Sequence, residues 1–274
     1  MDRNRYTPHP DDIKNIYLTI QFELLKQFKR KRILITIILA LLIPLLFFAL
    51  PPLLDQNYAA TANGFASNNL AFVNLLIILS GAIFAGDVIS GEFENKTGLL
   101  LFPTPQRKSS IFIGKYLASI LATWLIIALY YLITGMEIIS IYGLSGISVE
   151  LTQSFLLALL YCTSVVSIIF FFSSIMKKTI TSTLIGFFLL LMILPIISAV
   201  FTVAEVDPWF LVTYNEGLVT DVLGTVNQGG FGPGQGFNFT IFKPDLWTGI
   251  GVMSAYTVIL FLTGIVMADR RKME

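Results

Sequence analysis

Histidine and cysteine occur once each, as His9 and Cys162. The chain therefore lacks the residues for a Ser-His-Asp or Cys-His catalytic site, a zinc site or a disulfide framework. Cys162, within an apolar run, reads as a small core residue. Charge is scarce as well: 13% of the 274 residues are Asp, Glu, Lys or Arg and 55% are hydrophobic, where a globular chain has roughly a quarter and a half. A formal net charge of +1 offers no basic surplus for nucleic acid. A phosphate-cradling loop is missing too, because Gly114-Lys115-Tyr116 has neither the upstream glycine nor the hydroxyl such a loop needs. If a nucleotide drives this protein, another chain binds it.

What is present is a series of long apolar runs. Charge-free windows cover residues 33–54, 56–86, 116–136, 151–176, 179–204 and 246–268, each able to supply the roughly 20 residues of a spanning helix. They are apolar on all faces, which excludes the alternation of a β-barrel, and lipid permits only those two spanning solutions. The second window is long, so its crossing is placed near 70–85 with the start as loop. No window carries a carboxylate, whereas proton- and ion-coupled carriers keep ionisable groups near mid-membrane. With both termini inside, seventeen of the 18 basic residues fall on the cytoplasmic side and only Lys243 outside, as the positive-inside rule requires. Asp55, Glu137, Glu150, Glu205, Asp207, Glu216, Asp221 and Asp245 fall outside. The expected fold is all-α: a multi-pass membrane protein of six transmembrane helices, both termini cytoplasmic, in the plasma membrane.

Residues 1–32 form a separate cytoplasmic segment ahead of the membrane domain at 33–274. This segment is charged and lacks a small-residue cleavage site, so it does not read as a cleaved signal. Asp11 after Pro10 is a candidate N-cap, and Ile13, Ile16, Tyr17, Ile20, Leu24 and Phe28 recur at helical spacing before Lys29-Arg30-Lys31-Arg32. That pattern predicts an amphipathic helix lying in the cytoplasmic interface, with its apolar side in the acyl boundary and its basic end near anionic lipid headgroups. The alternative is a solvated helix packed on protein.

Between the second and third windows stands GEFENKTGLLLFPTPQRKSSIFIGKY, residues 91–116. Asp87, Glu92 and Glu94 precede Lys96, which places acids near the start of a short helix whose dipole favours them. Gly98 stops it, Leu99 to Phe102 form an apolar patch, and Pro103 and Pro105 break the chain before Arg107, Lys108 and the next apolar run. From these residues alone the segment fits either a docking surface or an amphipathic loop anchoring two helices.

Glu92-Phe93-Glu94, Thr97, Pro105, Arg107-Lys108 and Gly114-Lys115 together resemble the signature of type-2 ABC transporter permeases. That signature has an acidic pair, a Gly-Thr, a Pro eight residues after the Thr, a basic residue soon after, and a Gly-Lys opening the third membrane helix. Lys96 stands where the commonest form has Gly. The resemblance implies that residues 87–108 are a coupling region resting on a separate ATP-binding subunit, which would carry the ATP and Mg, and that the N-terminal helix is the connecting helix beside it. It also implies a second permease copy or homologue, and second and fifth helices lining the pathway, where Asn69, Asn74, Ser80, Thr183, Ser198 and Thr202 are the polar candidates. Such a largely apolar route points to a hydrophobic or amphipathic cargo, moved by export on family resemblance. The rivals are a non-transporting scaffold or assembly subunit and, lacking a catalytic residue cluster, a membrane-embedded enzyme.

Residues 205–245 are too long for a passive external connection. Pro208 to Val212, with Leu218, Val219, Val222 and Leu223, predict short amphipathic helices on the outer interface. Residues 229–237 are too glycine-rich for a helix and read as a loop that gates or receives substrate, or as a mobile lid. Asn238-Phe239-Thr240 matches a glycosylation acceptor. Gly81 with Ala85, and Gly251 with Ala255, have the spacing that lets membrane helices approach closely. Pro44 and Pro195 are expected to kink the first and fifth helices.

Overall fold

The computed structural model describes residues 12–96, 108–224 and 242–270. Its helices are α1 (Asp12–Lys29), α2 (Arg32–Leu53), α3 (Ala62–Leu70), α4 (Val73–Ala85), α5 (Ser90–Glu94), α6 (Lys108–Tyr142), α7 (Val149–Ile175), α8 (Thr179–Phe188), α9 (Leu194–Val203), α10 (Leu218–Asp221) and α11 (Leu246–Arg270). The described residues contain no strand. They provide six apolar segments of spanning length: α2, the broken run α3–α5, α6, α7, the run α8–α9, and α11.

The centre of the bundle is α4, α6 and α7, with α2, α8–α9 and α11 around it. Gly81 makes the central contact close, since a Cβ there would lie 3.0 Å from Val165 of α7. Gly251 has open space around it, and Ala255 is exposed. Within this chain, then, only the first small-residue pair serves packing. The α7–α11 contact is tied by Ser164, whose hydroxyl donates to the Met253 carbonyl at 2.9 Å. Tyr116 stacks on Phe261 and donates to or accepts from Ser167 at 2.7 Å, which joins α6, α7 and α11.

Three expectations are corrected. Residues 62–70 are helical rather than loop, because Thr61 caps α3 by accepting the Gly64 amide and Phe65, Ala66 and Leu70 are buried. The helix after 116 does not stop at 136: α6 continues to Tyr142 and carries Glu137 into the protein, 6% exposed. Residues 208–223 do not lie flat on an interface but fold back into the end of the bundle opposite α1. Leu211, Val212, Leu218, Val219 and Leu223 are buried there while Trp209 and Phe210 stay exposed. Asn215 fixes the turn of this plug by donating to the Trp209 and Leu211 carbonyls at 2.7 and 2.8 Å. Gly249 lets it seat, since a Cβ at that position would meet Leu218 at 2.2 Å.

Pro195 has the expected effect on helix geometry. It cannot donate to the turn before it, and residues 189–193 widen into a π-helical turn that divides α8 from α9. Helix α2 is continuous through Pro44. The glycine-rich 229–237 and the 238–240 acceptor lie outside the described residues.

The plug is latched to α7 at two points. Ser154 donates to the Val219 carbonyl, and Tyr161 donates to Glu216 at 2.6 Å. Burial pushes the Glu216 carboxyl from its ordinary 4.5 up to about 7, against the Tyr161 hydrogen bond, which favours the charged form. A raised carboxyl adds stability that is present below its unfolded value and is lost as pH rises through the folded one. Thermal unfolding should therefore show wild type losing stability between about pH 4.5 and 7, with that slope reduced in Glu216→Gln. Parallel pH profiles would contradict the latch.

Candidate functional site

Helix α1 packs along the start of α6 with its polarity reversed relative to a soluble helix. Asn15, Glu23 and Gln27 are buried against the bundle, whereas Ile13, Tyr17, Phe22, Leu25 and Phe28 are exposed. The inward residues are eight and four positions apart, both multiples of four, and so share one face. Contact is close at Gly114, where a Cβ would sit 2.7 Å from the Thr19 Cβ and 3.1 Å from the Ile16 carbonyl.

Beside Gly114, Lys115 is 3% exposed. Its ammonium lies 2.8 Å from Glu92 of α5 and 3.2 Å from Glu23 of α1. Lys26 lies 2.8 Å from the other Glu23 oxygen and 3.7 Å from Glu92. Two acids and two bases thus alternate, joining three helices. Burial alone would raise the Glu23 carboxyl, but Lys115 and Lys26 outweigh it and hold it below the ordinary range. A second tie lies one turn along α1 and beyond, where Arg30 and Arg32 both reach Asp87. Between the two ties, Gln27 and Ser119 both donate to the Phe84 carbonyl, at 3.2 and 3.0 Å, which satisfies one of the free carbonyls at the end of α4.

Helix α5 is held from the other side. Ser173 of α7 accepts the Ile89 and Ser90 amides at 3.1 Å each. Glu94 accepts the Thr179 amide at 2.7 Å, a carboxylate on the first turn of α8 where the helix dipole favours it. Lys96 follows at φ +53°, a left-handed conformation that suits glycine. The place where the permease signature has Gly therefore keeps a glycine-like backbone even though this chain has Lys.

Asp87, Glu92, Gly114 and Lys115 are brought together, with Glu94 at the adjoining start of α8 and Lys96 just after α5. Lys108 opens α6. Thr97, Pro105 and Arg107 lie outside the described residues. The acids turn inward to this chain's own cations and amides. Sequence reasoning missed Lys26 and Arg30 as their partners, Glu23 as a partner of Lys115 and Gln27 as a donor to the Phe84 carbonyl, although an acid on the polar face of an otherwise basic helix was a usable signal. The pathway candidates differ in burial and local contacts. Asn69 and Ser80 are fully buried, with Ser80 bonded back to its own helix, and Asn74 is half-buried. Thr183 packs on Gly86, while Thr202 donates to the Ser198 carbonyl on the sparsely covered α9.

A six-helix membrane bundle with an inverted amphipathic helix ionically bound at one end is the class of protein these observations define. Residues 19–193, more than half the chain, match the family model described as ABC-2 family transporter protein, and the chain belongs to that family. The matched stretch contains the whole ionic cluster and stops before α9 and the plug. No individually characterised protein matches the chain. Family membership marks a transport subunit rather than an enzyme.

Removing Lys115 leaves the half-exposed Lys26 as the nearest cation to the buried Glu23 and Glu92, so Lys115→Met should cost up to about 3–5 kcal/mol in thermal or denaturant unfolding. Adding Glu23→Leu and Glu92→Leu should recover most of the loss, and a cost below about 1 kcal/mol for the single variant would contradict the cluster. Lys96→Gly should raise stability by roughly 0.5–1 kcal/mol by relieving the left-handed backbone; a loss of stability would show that the Lys side chain matters more than its φ.

Proposed function

We propose that this chain is the membrane-spanning permease subunit of an ABC transporter, with ATP and Mg bound by separate nucleotide-binding subunits. In this reading the end of the bundle that carries α1 and residues 87–108 faces the cytoplasm, both termini included, and rests on those subunits in the plasma membrane. The observation that carries the proposal is the buried Glu23–Lys115–Glu92 arrangement. It makes α1, α5 and the start of α6 one unit, immediately flanking 97–107, so a push on that segment moves three elements together. Nucleotide binding then acts by favouring one arrangement of the permease over another.

The outward apolar face of α1 supports a place in the acyl boundary, with Lys14, Lys29, Lys31 and Arg32 at headgroup level. The exposed flanks of α2, α8–α9 and α11 support pairing with a second permease copy or homologue, because lipid gives little drive to bury them within one chain. Between such copies the route is largely apolar, which favours a hydrophobic or amphipathic cargo and, by family resemblance, export.

Co-expression with an ABC ATPase encoded beside this chain tests the reading. A stable complex whose ATP hydrolysis the permease stimulates is expected, and Arg107→Glu should lower that stimulation at least several-fold without changing the permease's unfolding midpoint. A chain that neither binds the ATPase nor alters its turnover would support the scaffold reading instead.

A further inference from the structure

Glu137 of α6 is the one carboxylate found deep in a contact between membrane helices that has no basic partner among the described residues. It is 6% exposed, and Asn69 of α3, facing it, is fully buried. The Asn69 amide nitrogen donates to Glu137 Oε2 at 2.7 Å. The other oxygen of each group, Glu137 Oε1 and Asn69 Oδ1, is buried without a hydrogen-bond partner among the described residues. Both are acceptors if the acid is ionised, so neither can satisfy the other. Thr134, one turn earlier on the same face of α6, does not turn its hydroxyl to the carboxyl either, since its oxygen is also unpartnered. An ionised Glu137 would thus have one hydrogen bond for about four lone-pair sites. The titratable group facing the pair is Tyr130, whose hydroxyl donates to the Asn69 backbone carbonyl at 2.6 Å.

One proton satisfies both of these carboxyl and amide oxygens. Placed on Glu137 Oε1, it turns that oxygen into a donor toward Asn69 Oδ1, while Oε2 keeps the bond it already accepts from the Asn69 amide. A carboxylic acid and a primary amide then pair through two hydrogen bonds, and no charge is left among apolar side chains. We propose that Glu137 and Asn69 form an intramembrane proton-binding site, in which the acid is neutral and doubly hydrogen-bonded to the amide, clasping α3 to α6. Loss of the proton leaves an unpaired carboxylate at that contact and loosens α3, which makes the clasp a proton-operated element at the end of the bundle opposite α1. This holds whether or not the chain works with an ATPase.

Infrared difference spectroscopy on the full-length chain in lipid vesicles at pH 7 tests it, comparing wild type with Glu137→Gln. The expected result is one protonated-carboxyl C=O band, shifted in D2O, that is present in wild type and lost in the variant. A carboxylate band lost instead would overturn the proposal. So would disappearance of the C=O band when choline is replaced by sodium, because the site would then hold a metal cation. Unfolding gives a second readout: Glu137→Gln, whose amide reproduces both hydrogen bonds, should keep the wild-type midpoint, while Glu137→Ala lowers it. Equal losses in the two variants would show that the acid is held ionised and would overturn the proposal as well.

Discussion

The burial of one ammonium group, that of Lys115, sets the arrangement of everything around it. A lone charge at 3% exposure is untenable in an apolar bundle, and the chain satisfies it with acids from two other elements, Glu23 and Glu92. Such a cluster adds little net stability over apolar residues of the same size. Its effect is on geometry, because any displacement of α1 or α5 strands a charge. Gly114 permits the approach, Lys115 fixes its register, and Ser173 and Glu94 extend the constraint from α5 to α7 and α8.

The same solvent logic accounts for the inverted face of α1. Water would draw Asn15, Glu23 and Gln27 outward and fold Phe22, Leu25 and Phe28 inward, yet the opposite is found. If lipid is the medium outside α1, as the proposed placement has it, polar groups find partners only inside the protein, and the apolar side chains are already well solvated outside. Polar residues in this protein therefore mark where its helices meet. The Asn69–Glu137 and Tyr161–Glu216 contacts obey the same rule at the other end.

The spanning segments were legible because a run of about 20 apolar residues has few alternatives, and the permease resemblance was legible because Thr97, Pro105 and Gly114-Lys115 stand at fixed spacings after the acidic pair Glu92 and Glu94. Polar residues inside the bundle were much harder to read. Glu137 looked external because an acid ended the apolar window, but helix propagation depends on the backbone and continues past a carboxyl group that finds Asn69. Residues 62–70 read as loop from their Asn and Ser content, yet the Thr61 cap and three apolar residues on one face make a helix. The plug was misjudged because amphipathic spacing shows that a segment buries one side and not what it buries that side against. The pairing of Glu23 with Lys115, 92 positions apart, leaves no local trace beyond an acid on the polar face of α1.

The central claim is that α1, α5 and the start of α6 move as one rigid body. Pulsed electron spin resonance between labels at Leu25 and Leu121, both exposed, tests it most directly in a Cys162→Ser background, in vesicles, with the ATPase partner bound. The account predicts the same narrow distance distribution with and without nucleotide, while a pair from Leu25 to the exposed Ile196 of α9 changes. A Leu25–Leu121 distance that shifts or broadens on nucleotide binding would contradict it.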